Sequence, residues 1–224
     1  MVVFDREARH YDRWYTTVLG KHVDETETRC VLDMLKPVVG MQILDVGCGT
    51  GHFSFKLARM DCTVTGIDIS SEMLAQARKK AMHEGLPVNF LSMDASHLDF
   101  KDETFDAVVA ITVFEFLGKP VESFNEMFRV LKRNGSLLIG IINRDSPWGE
   151  MYLAKKPDKE SVFHFAHLRT LDELKKIHPA DFAGFSECLF VPPTSVDEEI
   201  NADRERELSK SGKGGFICVL WKKS

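Results

Sequence analysis

The sequence predicts an α/β protein with a doubly wound, mostly parallel sheet of seven strands, the last of them antiparallel. Three observations lead to this prediction. Apolar runs of strand length alternate with helical patterns between residues 41 and 143, which is typical of βαβ units. Two further strand patterns lie near the C-terminus, and the first strand pattern leads into a glycine-rich turn. Ligands of such sheets bind beyond the carboxyl ends of the strands, so this turn is a candidate binding site.

Strand and helix patterns alternate through the centre of the chain. Ser70 or Ser71 can cap the second helix, and Gly85 follows its end. Residues 105–112 contain a continuous apolar run, residues 107–111, which favours a strand that is buried on both faces. We expect strands at residues 41–47, 62–68, 88–94, 105–112 and 136–143, and helices at residues 51–60, 70–85 and 120–135.

The two ends of the chain show different patterns. Residues 5–36 are helical in pattern, whereas residues 143–168 are irregular and rich in aromatic side chains. A short helix at residues 171–177 precedes two strand patterns, residues 185–191 and 214–223, which we expect to form an antiparallel pair. The polar stretch between these two strands is long for a hairpin loop. We therefore expect a solvated and partly helical excursion there.

Composition excludes several classes of protein. With 224 residues and 44% hydrophobic content, the chain can bury a sizeable core. No apolar run approaches the roughly 18 residues of a membrane span, and the N-terminus lacks the apolar segment of a secretory signal. The five cysteines form no CxxC pair and predict reduced thiols in a cytoplasmic protein. A net charge of −5 argues against a large nucleic-acid-binding surface.

The glycine-rich turn, residues 47–51, reads GCGTG and differs from the common phosphate-binding turns. A dinucleotide site would read GxGxxG, and a phosphate loop would end in GK[ST]. Asp45, two residues before the first glycine, would repel a diphosphate but attract a ligand that carries an ammonium and a sulfonium. S-adenosylmethionine is such a ligand, and backbone N–H groups at the start of the following helix can receive its carboxylate.

Acidic residues also end the second and third strand patterns. Asp68 lies 17 residues beyond Gly51, where a carboxylate can accept hydrogen bonds from both ribose hydroxyls. NAD and S-adenosylmethionine both contain a ribose, so Asp68 alone does not distinguish them. Asp94 follows the third strand, where it can meet the amino group of adenine.

Together these segments resemble the class I S-adenosylmethionine-dependent methyltransferases, particularly the small-molecule branch that includes ubiquinone- and menaquinone-biosynthesis methyltransferases. The matching motifs are, in order, LDVGCGTG, GIDIS, MDA and FDAVVA. RVLKRNGSLLIG is similar to the family's RVLKPGG-type segment, with Arg133-Asn134 in place of Pro-Gly. The resemblance implies a Rossmann-like fold with an N-terminal helical lid. It also implies a single domain, residues 1–224, made of the lid (1–37), a cofactor-binding core (38–142) and an acceptor-side part with the C-terminal strands (143–224).

The resemblance further implies which residues contact S-adenosylmethionine. The turn would face the methionine part, Asp68 would hold the ribose, and Asp94 would flank the adenine. Aromatic residues of the lid would exclude water. The implied cofactor-binding residues are Tyr11, Asp45, Gly47, Cys48, Gly49, Asp68, Ile69, Met73, Asp94, Ala95, Ile111 and Thr112.

The sequence assigns no catalytic residue and no metal ligands. His164 and His167 are too few for a metal site. Many relatives have Glu-His after the fourth strand, where this chain has Glu115-Phe116, so a role tied to that histidine is in doubt. Glu115 is either a solvated loop acid or a functional group.

The resemblance implies a small-molecule methyl acceptor, and the absence of the [ND]PP[YF] motif argues against the amino-directed DNA, RNA and protein methyltransferases that typically carry it. Residues 143–168 would shape its pocket. Trp148, Tyr152, Phe163 and Phe165 favour an apolar or aromatic acceptor, whereas Arg144 and Arg169 favour an anionic one. We expect a monomer or homodimer without a membrane or nucleic-acid partner. A non-catalytic S-adenosylmethionine-binding or scaffold protein is the main alternative, and an NAD-dependent oxidoreductase is a poorer one.

Overall fold

Seven strands form one sheet in the computed structural model, which describes residues 3–224. The order across the sheet is β3-β2-β1-β4-β5-β7-β6. Strand β7 runs antiparallel to β5 and β6, whereas the pairs among β1–β5 are parallel. The predicted sheet is therefore confirmed. The strands are β1 (Gln42–Val46), β2 (Thr63–Asp68), β3 (Val88–Ser92), β4 (Phe105–Ile111), β5 (Leu131–Ile142), β6 (Phe182–Cys188) and β7 (Phe216–Lys222).

Helices pack on both faces of this sheet. They are α1 (Val18–Leu35), α2 (His52–Ala58), α3 (Ser71–Glu84), α4 (Pro120–Arg129), α5 (Pro147–Ala154), α6 (Leu171–Lys175) and α7 (Ala202–Leu208). Short 3₁₀ segments add Val3–Arg6, Tyr11–Thr16, Phe114–Phe116, Val162–Phe165, Pro179–Asp181 and Asp197–Glu199.

Alternate residues of the central strands enter two separate apolar cores. In β4, Ala107 and Val109 join the core that contains α1 and α2, while Val108 and Ala110 join the core that contains α4. All four are fully buried. Because the sheet is covered on both faces, polar groups that a ligand can reach lie in the loops at the ends of the strands.

The helical pattern at residues 5–36 is divided in the structure. Two 3₁₀ segments precede α1, and Thr17 begins α1 by accepting a 2.9 Å hydrogen bond from the N–H of Gly20 on its Oγ1. The chain therefore turns before the long helix, and the first segment can cross over the ends of the strands.

The predicted helix at residues 120–135 is too long, because α4 ends at Arg129 and β5 begins at Leu131. The carbonyl of Val130 accepts hydrogen bonds from the N–H groups of Thr104 and Phe105, which pulls this stretch into the sheet. Asn134 then adopts a φ of 62°, a conformation that Asn tolerates better than most residues.

Strand β6 lies three residues earlier than expected, at residues 182–188 instead of 185–191. Leu189 has a φ of 66°, which ends the strand. The N–H groups of Phe190 and Val191 then donate to the carboxylate of Glu205 at 2.8 and 2.9 Å. Glu205 lies on α7, within the polar excursion, which is partly helical as predicted.

Helix α5 occupies part of the stretch that the sequence predicts to be irregular. Ser146 caps it by accepting a 3.1 Å hydrogen bond from the N–H of Gly149, and Pro147 occupies its first turn. A Ser-Pro start of this kind is a recognisable helix signal, although the aromatic content of the segment obscured it.

Two sequence expectations concern the chain as a whole. Within residues 3–224, no helix has both the length and the apolar character needed to cross a membrane. All five cysteines are free thiols, as expected.

Replacing Glu205 with Ala tests how the polar excursion is held to the sheet. The change leaves the N–H groups of Phe190 and Val191 without their acceptor, so we expect the free energy of unfolding to fall by about 1–3 kcal/mol. Urea denaturation measures this. Glu207→Ala, which removes an exposed ion pair with Arg204, is the control and should change stability by less than about 1 kcal/mol. Equal effects of the two variants would show that Glu205 does not hold the polar excursion to the chain after β6.

Candidate active site

A cavity of about 440 Å³ lies beyond the carboxyl ends of β1, β2 and β4. Its volume is in the range of roughly 300–1,000 Å³ that is usual for small-molecule sites. All twelve residues that the sequence predicts to bind a cofactor line this cavity: Tyr11, Asp45, Gly47, Cys48, Gly49, Asp68, Ile69, Met73, Asp94, Ala95, Ile111 and Thr112. Their contact with a ligand stays a prediction.

The glycine-rich turn depends on two glycines for different reasons. Gly47 has a φ of 69°, and a Cβ atom there would lie 2.2 Å from Cγ2 of Val113. Gly47 therefore lets the loop after β4 approach the turn closely. Gly49 has a φ of 53° and no atom within 4 Å of the corresponding Cβ position. The space beside Gly49 is left open within the cavity wall.

Asp68 connects the glycine-rich turn to the start of α3. One carboxylate oxygen accepts a 2.8 Å hydrogen bond from the N–H of Gly49, and the other accepts a 2.8 Å hydrogen bond from the N–H of Ser70. Burial raises the pKa of Asp68, and the two N–H groups oppose that rise. Each oxygen retains a lone pair, so the carboxylate can still accept ribose hydroxyl groups.

Asp45 lies at the end of β1 and is 2% exposed. The hydroxyl of Ser54 on α2 donates to its carboxylate at 2.5 Å. Burial raises the pKa of Asp45 to about 6, and the hydrogen bond from Ser54 lowers it. A buried carboxylate with one donor favours a cationic ligand, because a cation would restore part of the lost hydration.

The remaining predicted residues form the apolar part of the wall and its rim. Met73 and Ala95 are buried, whereas Ile69 is 57% exposed at the mouth. Asp94 is exposed and accepts hydrogen bonds from both the N–H and the hydroxyl of Ser96, and the N–H contributes most to a lowered pKa. Asp94 therefore stays ionised at the rim.

The segment before α1 is attached to the cavity by two aspartates. Asp5 accepts a 2.6 Å hydrogen bond from the hydroxyl of Ser70. Asp12 accepts hydrogen bonds from the hydroxyl of Thr50 and from Nζ of Lys80, both at 2.7 Å. Residues 4–16 thus lie over the glycine-rich turn and the start of α3, in the position of the predicted lid.

Aromatic side chains of the lid close part of the cavity. Phe4, Tyr11 and Tyr15 line it, and the Tyr15 ring stacks on His52 with a centroid distance of 4.0 Å. Phe4 meets Phe116 edge to face at 4.9 Å. Phe116 lines the cavity as well.

Helix α1 supplies cavity residues that the sequence did not single out. Asp24, Glu27, Thr28 and Val31 all line the cavity. Their spacing of three and four residues places them on one face of the helix, and two acids on such a face were the available signal. The carboxylate of Asp24 pairs with His52 at 2.8 Å and with Lys56.

Glu27 differs from Asp24 in having no charged partner. Within residues 3–224 its carboxyl group makes no hydrogen bond or ion pair to another side chain. Burial raises the pKa of Glu27 to about 8, and the negative charges of Asp24 and Glu115 add to this rise. The titratable groups that interact with it are Tyr11, Tyr15, Asp24, Cys30, Lys56, Glu115, Tyr152, Cys188 and Cys218.

Glu115 is buried rather than solvated, so the loop-acid interpretation is wrong. It is 0% exposed and accepts a 2.7 Å hydrogen bond from the N–H of Ile142 on Oε1. Oε2 has no partner among the described residues, and burial raises the pKa of Glu115 to about 7. Glu115 thus connects the end of β5 to the loop after β4. Its negative charge, when ionised, acts on Glu27 in the cavity wall.

The residues expected to shape an acceptor pocket are dispersed. Phe165 lines the cavity, whereas Trp148 is buried and donates its indole N–H to the carbonyl of Val191. Tyr152 and Phe163 stack on each other at 4.1 Å, and Phe163 also contacts Phe116, which is in the wall.

Neither arginine considered for an anionic acceptor lines the cavity. Arg144 pairs with Glu173 at 2.9 Å. Arg169 lies over the ring of Phe114 and donates to the carbonyl of His167. In the described part of the chain, no group of three or more His, Cys, Asp or Glu residues is arranged to hold a metal ion.

Comparison with known proteins agrees with this architecture. Residues 44–139 match the family described as "Methyltransferase domain". The chain is 32% identical over 222 residues to an uncharacterized protein of Methanocaldococcus jannaschii, with 98% of each chain covered. It is 41% identical over 139 residues to a phosphatidylethanolamine N-methyltransferase of Cereibacter sphaeroides, with 60% of this chain and 67% of that protein covered. This chain belongs to the class I S-adenosylmethionine-dependent methyltransferases.

A solved structure supports the assignment of this methyltransferase over its whole length. The structure of a methyltransferase from Thermotoga maritima, described as a possible histamine N-methyltransferase, matches with a TM-score of 0.76. The sequence identity is 26%, and 99% of each chain is covered. The resemblance noted from the motifs of residues 44–110 is therefore confirmed at the level of the enzyme class.

Alanine at Gly47 and at Gly49 should affect the methyltransferase differently. Both positions have positive φ, so each change costs about 1–2 kcal/mol in backbone strain. At Gly47 the new methyl group also collides with Val113, so we expect a further loss of about 1–3 kcal/mol. Thermal and urea unfolding compare the two variants. Equal stabilities would show that the turn and the loop after β4 are not tightly packed.

The raised pKa of Glu27 predicts a pH-dependent stability. Ionising this carboxyl group is less favourable in the folded protein than in the unfolded chain, so its contribution to stability falls as the pH rises from about 4.5 to about 8. Glu27→Gln should therefore gain stability relative to the native protein over this range, by about 1–4 kcal/mol. Urea unfolding at several pH values measures the difference. Glu25→Gln, on an exposed part of α1, should show no such trend.

Proposed function

We propose that this enzyme transfers a methyl group from S-adenosylmethionine to a small-molecule acceptor held in the cavity beyond β1, β2 and β4. The observation that carries the proposal is the convergence of the twelve predicted residues on one cavity beneath an aromatic lid. A cavity of about 440 Å³ that is partly closed by residues 4–16 suits small ligands better than a polymer.

The described residues fit the cofactor. The open space beside Gly49 allows close approach to the backbone. The carboxylate of Asp45 would hold the ammonium of the methionine part, and Asp68 would hold the ribose hydroxyl groups. Met73 and Ala95 would pack on the adenine, with Asp94 at the rim. Negative charge on this wall complements a cofactor with a net positive charge.

The role of the protein in the reaction is mainly positional. Bound in this site, S-adenosylmethionine supplies an activated methyl group for in-line displacement by the acceptor. The walls formed by α1 and the lid would orient the acceptor, which can be worth about 7–11 kcal/mol when two reactants are held in reactive geometry. The rings of Phe4, Tyr11 and Tyr15 would exclude water from the reacting atoms.

The charges around the cavity argue against an anionic acceptor. Arg144 and Arg169 are engaged outside it, which leaves the wall without a free arginine for an anionic acceptor in the described residues. Two of the similar proteins are named for N-methylation. The cytoplasmic location, the monomeric or homodimeric state and the lack of a nucleic-acid partner remain predictions from the sequence.

Calorimetric titration with S-adenosylmethionine, S-adenosylhomocysteine and NAD tests the proposal. Micromolar binding of the first two and no binding of NAD is the expected result. Formation of S-adenosylhomocysteine in the presence of an acceptor then separates an enzyme from a non-catalytic binding protein. NAD binding, or no binding of either sulfur compound, would refute the proposed function.

Asp68→Ala should weaken binding of S-adenosylhomocysteine at least tenfold, or roughly 1.4 kcal/mol, because the ribose loses its acceptor and the turn loses its tie to α3. Calorimetry on folded variants provides the dissociation constants. Asp68→Asn keeps an oxygen acceptor and should lose less. Asp99→Ala, at an exposed aspartate, is the control. An unchanged constant for Asp68→Ala would remove this residue from the site.

A further inference from the structure

Helix α1 presents two carboxyl groups to the cavity, and they differ in their partners. Asp24 forms an ion pair with Lys56 and a hydrogen bond with the ring of His52. Glu27, one turn further along the helix, is partly buried, lines the cavity and has no cationic partner within residues 3–224. A partly buried carboxyl group without a partner has lost part of its hydration, so a cationic ligand group in the cavity would stabilise it.

The surroundings of Glu27 favour a cation over an anion or a neutral group. The negative charges of Asp24 and Glu115 act on the Glu27 carboxyl group, and the positive charge of Lys56 opposes them only in part. Tyr11, Tyr15 and Phe116 add aromatic walls to the same cavity. Aromatic rings together with a carboxylate are a usual environment for an ammonium group.

Glu27 is separate from Asp45 and Asp68, the two acids that the cofactor motifs supply. Asp45 and Asp68 lie at the ends of β1 and β2 in the cofactor motifs, and both are held by neighbours in the glycine-rich turn, in α2 or at the start of α3. Glu27 comes instead from the helix that precedes the sheet. The cofactor motifs therefore do not account for it.

We propose that the methyl acceptor of this enzyme is an amine and that Glu27 binds its ammonium group and removes one proton from it. This inference rests on the proposed function, because it names the acceptor class of that site.

The proton balance is simple. The ammonium nitrogen gives one proton to a carboxylate oxygen of Glu27, and its freed lone pair forms the new C–N bond while the C–S bond breaks and its electrons remain on sulfur. The products are an N-methylated ammonium ion and S-adenosylhomocysteine, and the proton on Glu27 returns to solvent. A pKa of about 8 for Glu27 is close enough to that of an amine to make the transfer practicable.

Binding to the enzyme loaded with S-adenosylhomocysteine tests the acceptor class. The probes are 2-phenylethylamine, 2-phenylethanol and 3-phenylpropanoate, which share an aromatic body and differ in the head group. We expect the amine to bind at least tenfold more tightly than the other two by calorimetry. Glu27→Gln should abolish this preference and leave the affinity for S-adenosylhomocysteine within about twofold, whereas Glu25→Gln should behave as the native protein.

Turnover measures the proton-transfer role separately. At saturating S-adenosylmethionine, Glu27→Gln should lower the rate of S-adenosylhomocysteine formation with 2-phenylethylamine about 100-fold or more, which is the lower range for loss of a general base. Glu27→Asp should retain part of the rate, and the native rate should fall as the pH drops below about 8, because the Glu27 carboxyl group becomes protonated there.

The two proposals fail in different ways. If the amine binds no more tightly than the alcohol, including the case in which neither binds, or if Glu27→Gln keeps the preference, the amine inference is wrong while cofactor binding stands. If the native enzyme does not bind S-adenosylhomocysteine, the proposed function itself is wrong.

Discussion

The carboxylate of Asp68 is the constraint on which the rest of the site depends. It accepts hydrogen bonds from Gly49 in the glycine-rich turn and from Ser70 at the start of α3. The turn can occupy this position only because its glycines tolerate positive φ. Ser70 in turn donates to Asp5, so the lid is attached to the same point. One partly buried acid thereby connects two strand ends, a helix and the lid.

The cavity that results is acidic, and this has an energetic cost. Burial raises the pKa values of Asp45, Glu27 and Glu115, so each of these carboxyl groups would be more stable near a cation. The enzyme class explains this arrangement in part, because its methyl donor carries a positive sulfonium. The acidity contributed by α1 extends beyond the cofactor motifs and is the basis for assigning a cationic acceptor.

Sequence patterns located the strands, the glycine-rich turn and the acids at the carboxyl ends of β1, β2 and β3, because each depends on residues close together in the chain. The predicted ends of α4 and β6 were wrong because residues distant in the chain decide the local structure there. Helix α4 ends early because Val130 pairs with the chain beside β4. Strand β6 ends early because Glu205, 14 residues beyond Val191, takes the next N–H groups. Neither partner is visible in a local pattern.

The sequence by itself determined the enzyme class and the doubly wound sheet, and it located residues that line one cavity, because the glycines and acids of residues 44–95 lie close together in the chain. Tertiary structure alone decided which other charged side chains face the cavity. Arg144 and Arg169 are drawn away by partners elsewhere, while Glu27 reaches the cavity only because α1 packs across the sheet. Charge at a site depends on which side chains remain unpaired there, and that is settled only when the whole chain is folded.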